Sequence, residues 1–316
     1  MNALLLFAFL SIPVCAQSPL EETLLDLKAA DTAPALGESR AVKPLILAID
    51  GIAAVKIGSG LDWATIKRLW EKLFPNIPLD EKAVQKTLLE LRGEPPARQA
   101  DGYMERDVRA ILERFGVEAE VEPILWNRDP DDSPAALKRV KARLLRARGE
   151  RRPLYIVAHS WGSLLAYNAL LELEREGTVV DVVKFVSMGS PIQPKTPWVR
   201  VVVHYKMWKE GLAKATVKPK GVSRWLNFYA ERDLFSSVIP VASRNLRVDN
   251  HADSVQTRLE KLAAAGKEEA KKDLRSLNRL MDWHEAYHLG YSAVLNSLGK
   301  TWELDVPAEY RRSILP

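Results

Sequence analysis

The chain has 316 residues, 47% of them hydrophobic and 28% charged, with 9 Trp and a mean hydropathy of −0.16. That apolar content can fill a core, which excludes a disordered, collagen-like or low-complexity chain. Its 46 basic and 41 acidic residues leave a net charge of +5, too mild an excess to point to nucleic acid, and 1 Cys excludes an internal disulfide framework or a Cys-based zinc cluster.

Leu4 to Val14 is a largely apolar stretch of 11 residues, the length of a signal-peptide core and short for a bilayer span. Val14-Cys15-Ala16 suits cleavage after Ala16, so residues 1–16 read as a signal peptide and the protein as periplasmic or secreted. A lipid anchor at Cys15 or an uncleaved N-terminal anchor is the alternative. Residues 17–42 read as a linker with one helix at Glu21–Ala29, and 43–316 as one domain.

Pro44 to Ile49 is a continuous apolar run ending in Asp50-Gly51, the pattern of a buried strand entering a tight turn. Apolar residues at three- and four-residue spacing predict helices at Trp63–Phe74, Glu81–Leu91 and Glu105–Phe115, the last closed by Gly116. Ala119–Leu125 reads as a strand that Pro123 confines to an edge, and Ser133–Arg146 as a helix capped by Ser133. Strands follow at Leu154–Ala158, Val182–Met188, Trp225–Ala230 and Asn245–Val248, with helices at Trp161–Glu174, Ser254–Ala264 and Glu268–Met281. This alternation predicts an α/β fold, a mostly parallel sheet with helices on both faces.

The sharpest local signal is the apolar strand that runs into Ser160 and turns at once into a helix. A serine on such a turn is strained and exposes its hydroxyl, and the positions two before and two after must be small. They are Ala158 and Gly162, where the common pattern has Gly at both. The strand from Lys184 ends similarly in Gly189-Ser190-Pro191. Through these two turns and the order of the groups downstream, the chain from about Pro44 onward resembles the α/β-hydrolase fold, in its lipase and esterase branch. The resemblance implies a serine hydrolase that needs no cofactor.

A serine hydroxyl needs a base, and the base an orienting acid, which follow in the order Ser, acid, His in this fold. Asp233, after an aromatic-rich strand, resembles the acid-bearing turn of lipases; Glu231 and Asp249 compete with it. Among five histidines, His159 diverges from its neighbour Ser160 and His204 precedes the acid. His284, with Tyr287 three residues later, resembles the catalytic histidine of lipases at the start of a terminal helix; His251 and His288 are the alternatives. Two oxyanion donors are expected from backbone N–H groups. One is that of Trp161, and the other comes from Gly51 or Ile52, where many relatives carry His-Gly in place of Asp50-Gly51.

His284-Glu285-x-x-His288 also fits a zinc peptidase string, with Glu285 as base. The extended form needs Gly and His where Tyr291 and Val294 stand, and nothing marks Glu303 or Glu309 as a third ligand. Lys138 to Arg152 and Lys195 to Arg224 each carry eight Lys or Arg and one Glu. The first reads as a solvated helix face. The second interleaves aromatics and reads as an ordinary connection or as a cap that meets anionic lipid, with residues 60–116 as a further cap segment. The expected partner is an ester or lipid substrate. A non-catalytic binding protein on the same fold is the other reading.

Overall fold

The computed structural model describes residues 42–52, 63–82, 84–85, 101–213, 217–277, 283–284, 287, 292–303, 312–313 and 315–316. The expected signal peptide, the helix at Glu21–Ala29, most of Glu81–Leu91 and the end of the helix drawn to Met281 lie outside these residues.

Leu45–Ile49 (β1) is flanked by Glu120–Pro123 (β2) and Leu154–His159 (β3), and all five of its residues are buried. A strand covered on both faces shows no polar alternation, which is why it reads as a plain apolar run. Each of its Leu and Ile side chains contributes about 1.5–3 kcal/mol on burial. Val182–Met188 (β4), Val222–Tyr229 (β5) and Arg244–Arg247 (β6) complete a sheet of order β2-β1-β3-β4-β5-β6 in which every pairing is parallel. Pro123 ends the edge strand β2, where its missing N–H is tolerated.

Alternate residues of β1 divide the core. Leu45, Leu47 and Ile49 pack with Ser133–Glu150 (α3), Trp161–Arg175 (α4) and Pro197–Lys209 (α5). Ile46 and Ala48 pack with Tyr103–Phe115 (α2), Asn250–Ala264 (α6) and Glu268–Leu277 (α7) on the other side. The α/β arrangement with helices on both faces is therefore borne out, and the six-stranded sheet is wholly rather than mostly parallel. Trp63–Leu73 (α1) meets α5 through Ile66 and Val202, bringing together the two segments read as caps. Ser292–Leu295 (β7) and Lys300–Glu303 (β8) form a separate antiparallel ribbon.

Several local readings change, among them the start of β5 at Val222 rather than Trp225 and of α6 at Asn250 rather than Ser254. Ser133 is the first residue of α3 and not its cap; its hydroxyl donates to the Pro130 carbonyl and accepts from Trp161 Nε1 at 2.8 Å, while Asp132 holds the cap position. Helix α5 was not marked by periodicity, because Val199 and Val201 to Val203 are β-branched; Pro197 at its start is the one helix signal. Among the described residues no helix is long and apolar enough to cross a membrane.

Chain order along the sheet reverses at β1, between β2 and β3. In open parallel sheets, ligands gather beyond the carboxyl ends of the strands at such a reversal. Gly51 leaves β1 and Ser160 leaves β3 at that place.

Candidate active site

Ser160 has φ 49° and ψ −128°, a backbone region that side chains with a Cβ rarely enter. It is held there by tight packing. Its N–H donates to the Met188 carbonyl at 2.8 Å, and its carbonyl accepts from the Ser163 N–H at 3.0 Å and the Ser163 hydroxyl at 2.6 Å. A Cβ on Gly162 would stand 2.5 Å from the Asp50 carbonyl and 2.7 Å from that of Ile49, so only glycine lets α4 approach β1 this closely. A Cβ on Gly51 would stand 2.6 Å from the Ser160 Cβ. Such a strained serine turn at the carboxyl end of a parallel sheet, with helices on both faces, is the arrangement of the α/β-hydrolase fold, and the resemblance read in the sequence holds for the fold.

The structure brings Ser160, His284 and Asp233 together, all buried. Ser160 Oγ lies 2.8 Å from His284 Nε2, and His284 Nδ1 lies 3.2 and 3.1 Å from the two oxygens of Asp233. Asp233 Oδ1 also accepts the Phe235 N–H at 2.8 Å, and Oδ2 accepts the Tyr287 hydroxyl at 2.9 Å. That phenol receives the Ala230 N–H at 2.8 Å. Burial, and then the Asp233 charge, push the Tyr287 pKa well above its usual value, so it remains a donor. Its ring lies where a Cβ on Gly189 would stand, 2.8 Å from Tyr287 Cε2, and Gly189 has φ 56°.

The competing candidates stand elsewhere. Glu231 is half-exposed and paired with Lys195. Asp249 is fully buried and braces the acid turn: it accepts the N–H groups of Glu231 and Arg232 at 3.1 and 3.2 Å, and pairs with Arg232 and Arg247. His204 lies on α5 with Nε2 3.5 Å from the Ile192 carbonyl, lining a groove of about 1230 Å³ between α1 and α5 with Trp70, Phe74, Tyr205 and Trp208. The His251 side chain, Glu285 and His288 lie outside the described residues, as does the Glu303 side chain, and so does Glu309. Both ring nitrogens of His284 are already engaged, and among the described residues no group of three His, Cys, Asp or Glu could hold a metal ion.

Trp161 is the first residue of α4, so its N–H lies among those with no partner inside the helix. At the other expected oxyanion position, the Gly51 N–H is taken up by Tyr103 Oη at 2.6 Å, which leaves Ile52 as the donor put forward by the sequence. Asp50, in place of His, has a different task. Its carboxylate accepts the N–H groups of Gly102 and Met104 at 2.6 and 3.0 Å, an anion at the N-terminus of α2. Arg128, nearly fully buried, donates Nε to the Gly51 carbonyl at 2.9 Å, reaches that of Ile52 at 3.4 Å, and stacks on the Tyr103 ring. Tyr103 and Arg128 lie 52 and 77 residues from the loop they hold, beyond the reach of any local sequence pattern. The one usable signal for Tyr103 is Gly102 before an amphipathic helix.

The basic stretch after Lys195 is largely paired: Lys206 and Lys209 approach Asp131, and Lys220 approaches Glu174. Trp208 stands 75% exposed among them.

No family model matches the chain, and no curated protein matches it. Solved structures similar to it include a thioesterase from the prodiginine biosynthetic pathway of Streptomyces coelicolor, at 15% identity and TM-score 0.32, covering 74% of this chain and 88% of that one. A metagenomic carboxyl esterase is 13% identical at TM-score 0.28, covering 63% of this chain and 53% of its own. A type II thioesterase of the yersiniabactin pathway is 11% identical at TM-score 0.28, covering 72% of this chain and 95% of its own. At these levels they bear on neither substrate nor mechanism.

Proposed function

We propose that this protein is a serine hydrolase acting on ester bonds, with Ser160 as nucleophile, His284 as base and Asp233 as the acid that orients it. The observation that carries this reading is the unbroken contact from Ser160 Oγ through both nitrogens of His284 to the Asp233 carboxylate. Ser160 Oγ would attack the ester carbonyl as His284 Nε2 takes its proton, with Asp233 holding the Nδ1–H tautomer and balancing the imidazolium. The N–H groups of Trp161 and Ile52 would receive the charge that develops on the carbonyl oxygen. His284 then protonates the leaving alcohol, and water, deprotonated by the same ring, releases the acid from the acyl-enzyme.

The test is labelling by a fluorophosphonate probe, with wild type and Ser160→Ala compared in the presence and absence of detergent and of a zinc chelator. Labelling that requires Ser160 and ignores the chelator is expected. Wild type that stays unlabelled in every condition refutes the reading, and a peptidase activity lost on chelation would instead favour a metal at His284 and His288.

A further inference from the structure

His159, the neighbour of the proposed nucleophile, is almost completely buried and uses both ring nitrogens. Nε2 lies 2.9 Å from the backbone carbonyl of His284, and Nδ1 lies 2.8 Å from Tyr103 Oη. A carbonyl oxygen can only accept, so Nε2 carries the proton, and Nδ1 of the neutral ring must accept the Tyr103 O–H. Tyr103 Oη in turn receives the Gly51 N–H at 2.6 Å. The direction is then fixed along the whole chain: Gly51 N–H to Tyr103 O–H to His159 Nδ1, and His159 Nε2–H to the His284 carbonyl.

Resting on the serine hydrolase reading, we infer that Tyr103 and His159 are positioning residues: a directed hydrogen-bond relay that fixes the oxyanion loop at Gly51-Ile52 and the backbone of the base at His284 relative to each other. The relay closes a mechanical ring. Asp50 grips the first N–H groups of α2, α2 presents Tyr103, and Tyr103 returns to Gly51, one residue from Asp50. Arg128 covers the Tyr103 ring and holds the Gly51 carbonyl from the other side. Fixed donors stabilise an oxyanion without rearranging during the reaction, so a slack loop lowers turnover more than substrate binding.

Steady-state hydrolysis of a short p-nitrophenyl ester separates this from plain structural support. Tyr103→Phe removes one oxygen and keeps the ring. Its kcat is expected to fall by roughly ten- to a hundredfold, with KM moving less than about threefold. His159→Leu should fall alike, whereas His159→Asn, whose amide oxygen can replace Nδ1 as acceptor, should recover most of the loss. The relay is overturned if Tyr103→Phe keeps kcat within about twofold of wild type, or if His159→Asn is no better than His159→Leu.

The imidazole ¹⁵N spectrum of the full chain tests the same point without turnover, and it also serves if Tyr103→Phe does not fold. Neutral His159 protonated at Nε2 is expected, and the Nδ1–H form overturns the relay. Wild type with no Ser160-dependent hydrolysis or labelling instead fails the hydrolase reading, and with it the loop's proposed task. Active wild type with an indifferent Tyr103→Phe fails the relay alone.

Discussion

At Ser160 the constraints are backbone against backbone: a strained φ, two glycines whose Cβ atoms would collide, and a helix start pressed on β1. At Asp233 and His284 the constraints are hydrogen bonds from distant side chains: Asp249 under the acid turn, Tyr287 on the carboxylate and His159 on the His284 carbonyl. The first kind leaves a local mark, small residues at Ala158 and Gly162 on either side of Ser160, although the carbonyls that Gly162 must clear belong to β1. The second is assembled by the sheet, which brings the ends of β3, β4 and β5 side by side. The serine end should therefore be fragile to added volume and the acid end to a removed polar atom.

The largest effect is expected at Asp249. Asp249→Ala strips the Glu231 and Arg232 N–H groups of their acceptor and leaves Arg232 and Arg247 only the half-exposed Asp253, which costs about 3 kcal/mol. Chemical denaturation measures the loss, and ester turnover should fall with it. Unchanged turnover in a folded Asp249→Ala would mean that the turn stands without this brace. At the serine end, Gly162→Ala is expected to cost about 1–3 kcal/mol or more, because the added carbon meets main-chain oxygens that cannot rotate away. Ser160→Gly should have the opposite sign. It relieves the strained φ and raises the unfolding free energy by about 1–3 kcal/mol while abolishing fluorophosphonate labelling. A destabilised Ser160→Gly would show that the serine's own bonds, and not its backbone, hold the turn.

Tyr287→Phe probes the acid end with a single atom. It leaves the buried Ala230 N–H without its partner and takes a donor from Asp233, a cost of about 1–3 kcal/mol. Because the phenol's pKa lies well above its usual value, the bond to Asp233 persists through the ordinary phenol range. The stability difference between wild type and Tyr287→Phe should therefore stay level from pH 7 to about 10. A gap that closes within that range would place the phenol's titration there and undo the assignment of its proton.

The same contrast explains what was legible in the sequence. The six strands of the sheet, most of the helices on its faces and the strained turn at Ser160 follow from periodicity and residue size, which are local; the strand ends do not, as β5 begins three residues before Trp225. Glu231 and Asp233 are two residues apart on one turn, and no local rule separates them. Only the fold shows Glu231 facing Lys195 and Asp233 facing His284. Asp249 drew notice as a competing acid because it follows a short strand; its buried place beneath the turn depends on Arg232 and Arg247 arriving from other elements. Arg128 carries no signal and Tyr103 only that of Gly102 before its helix, since a tyrosine or arginine near a helix start is ordinary until a glycine from another strand lies against it. The short β7–β8 ribbon was equally silent, with four residues per strand.

Lys141 on α3 reaches Glu172 and Glu176 near the end of α4, at 3.0 and 2.5 Å. Hydrogen bonds to Glu176 and then Glu172 raise its pKa above 10.5. A folded pKa raised above the unfolded one gives a contribution that is whole at neutral pH and is lost as pH rises through the folded value. In water this is screened to less than about 1 kcal/mol, so Lys141→Ala should lower stability by no more than that, and less at high salt. Ester turnover should not change, because α4 is placed by Gly162 and its buried apolar face, far from this pair along the helix. A turnover loss in Lys141→Ala would mean that the serine end depends on distant side chains after all, and the contrast with the acid end would narrow to one of degree.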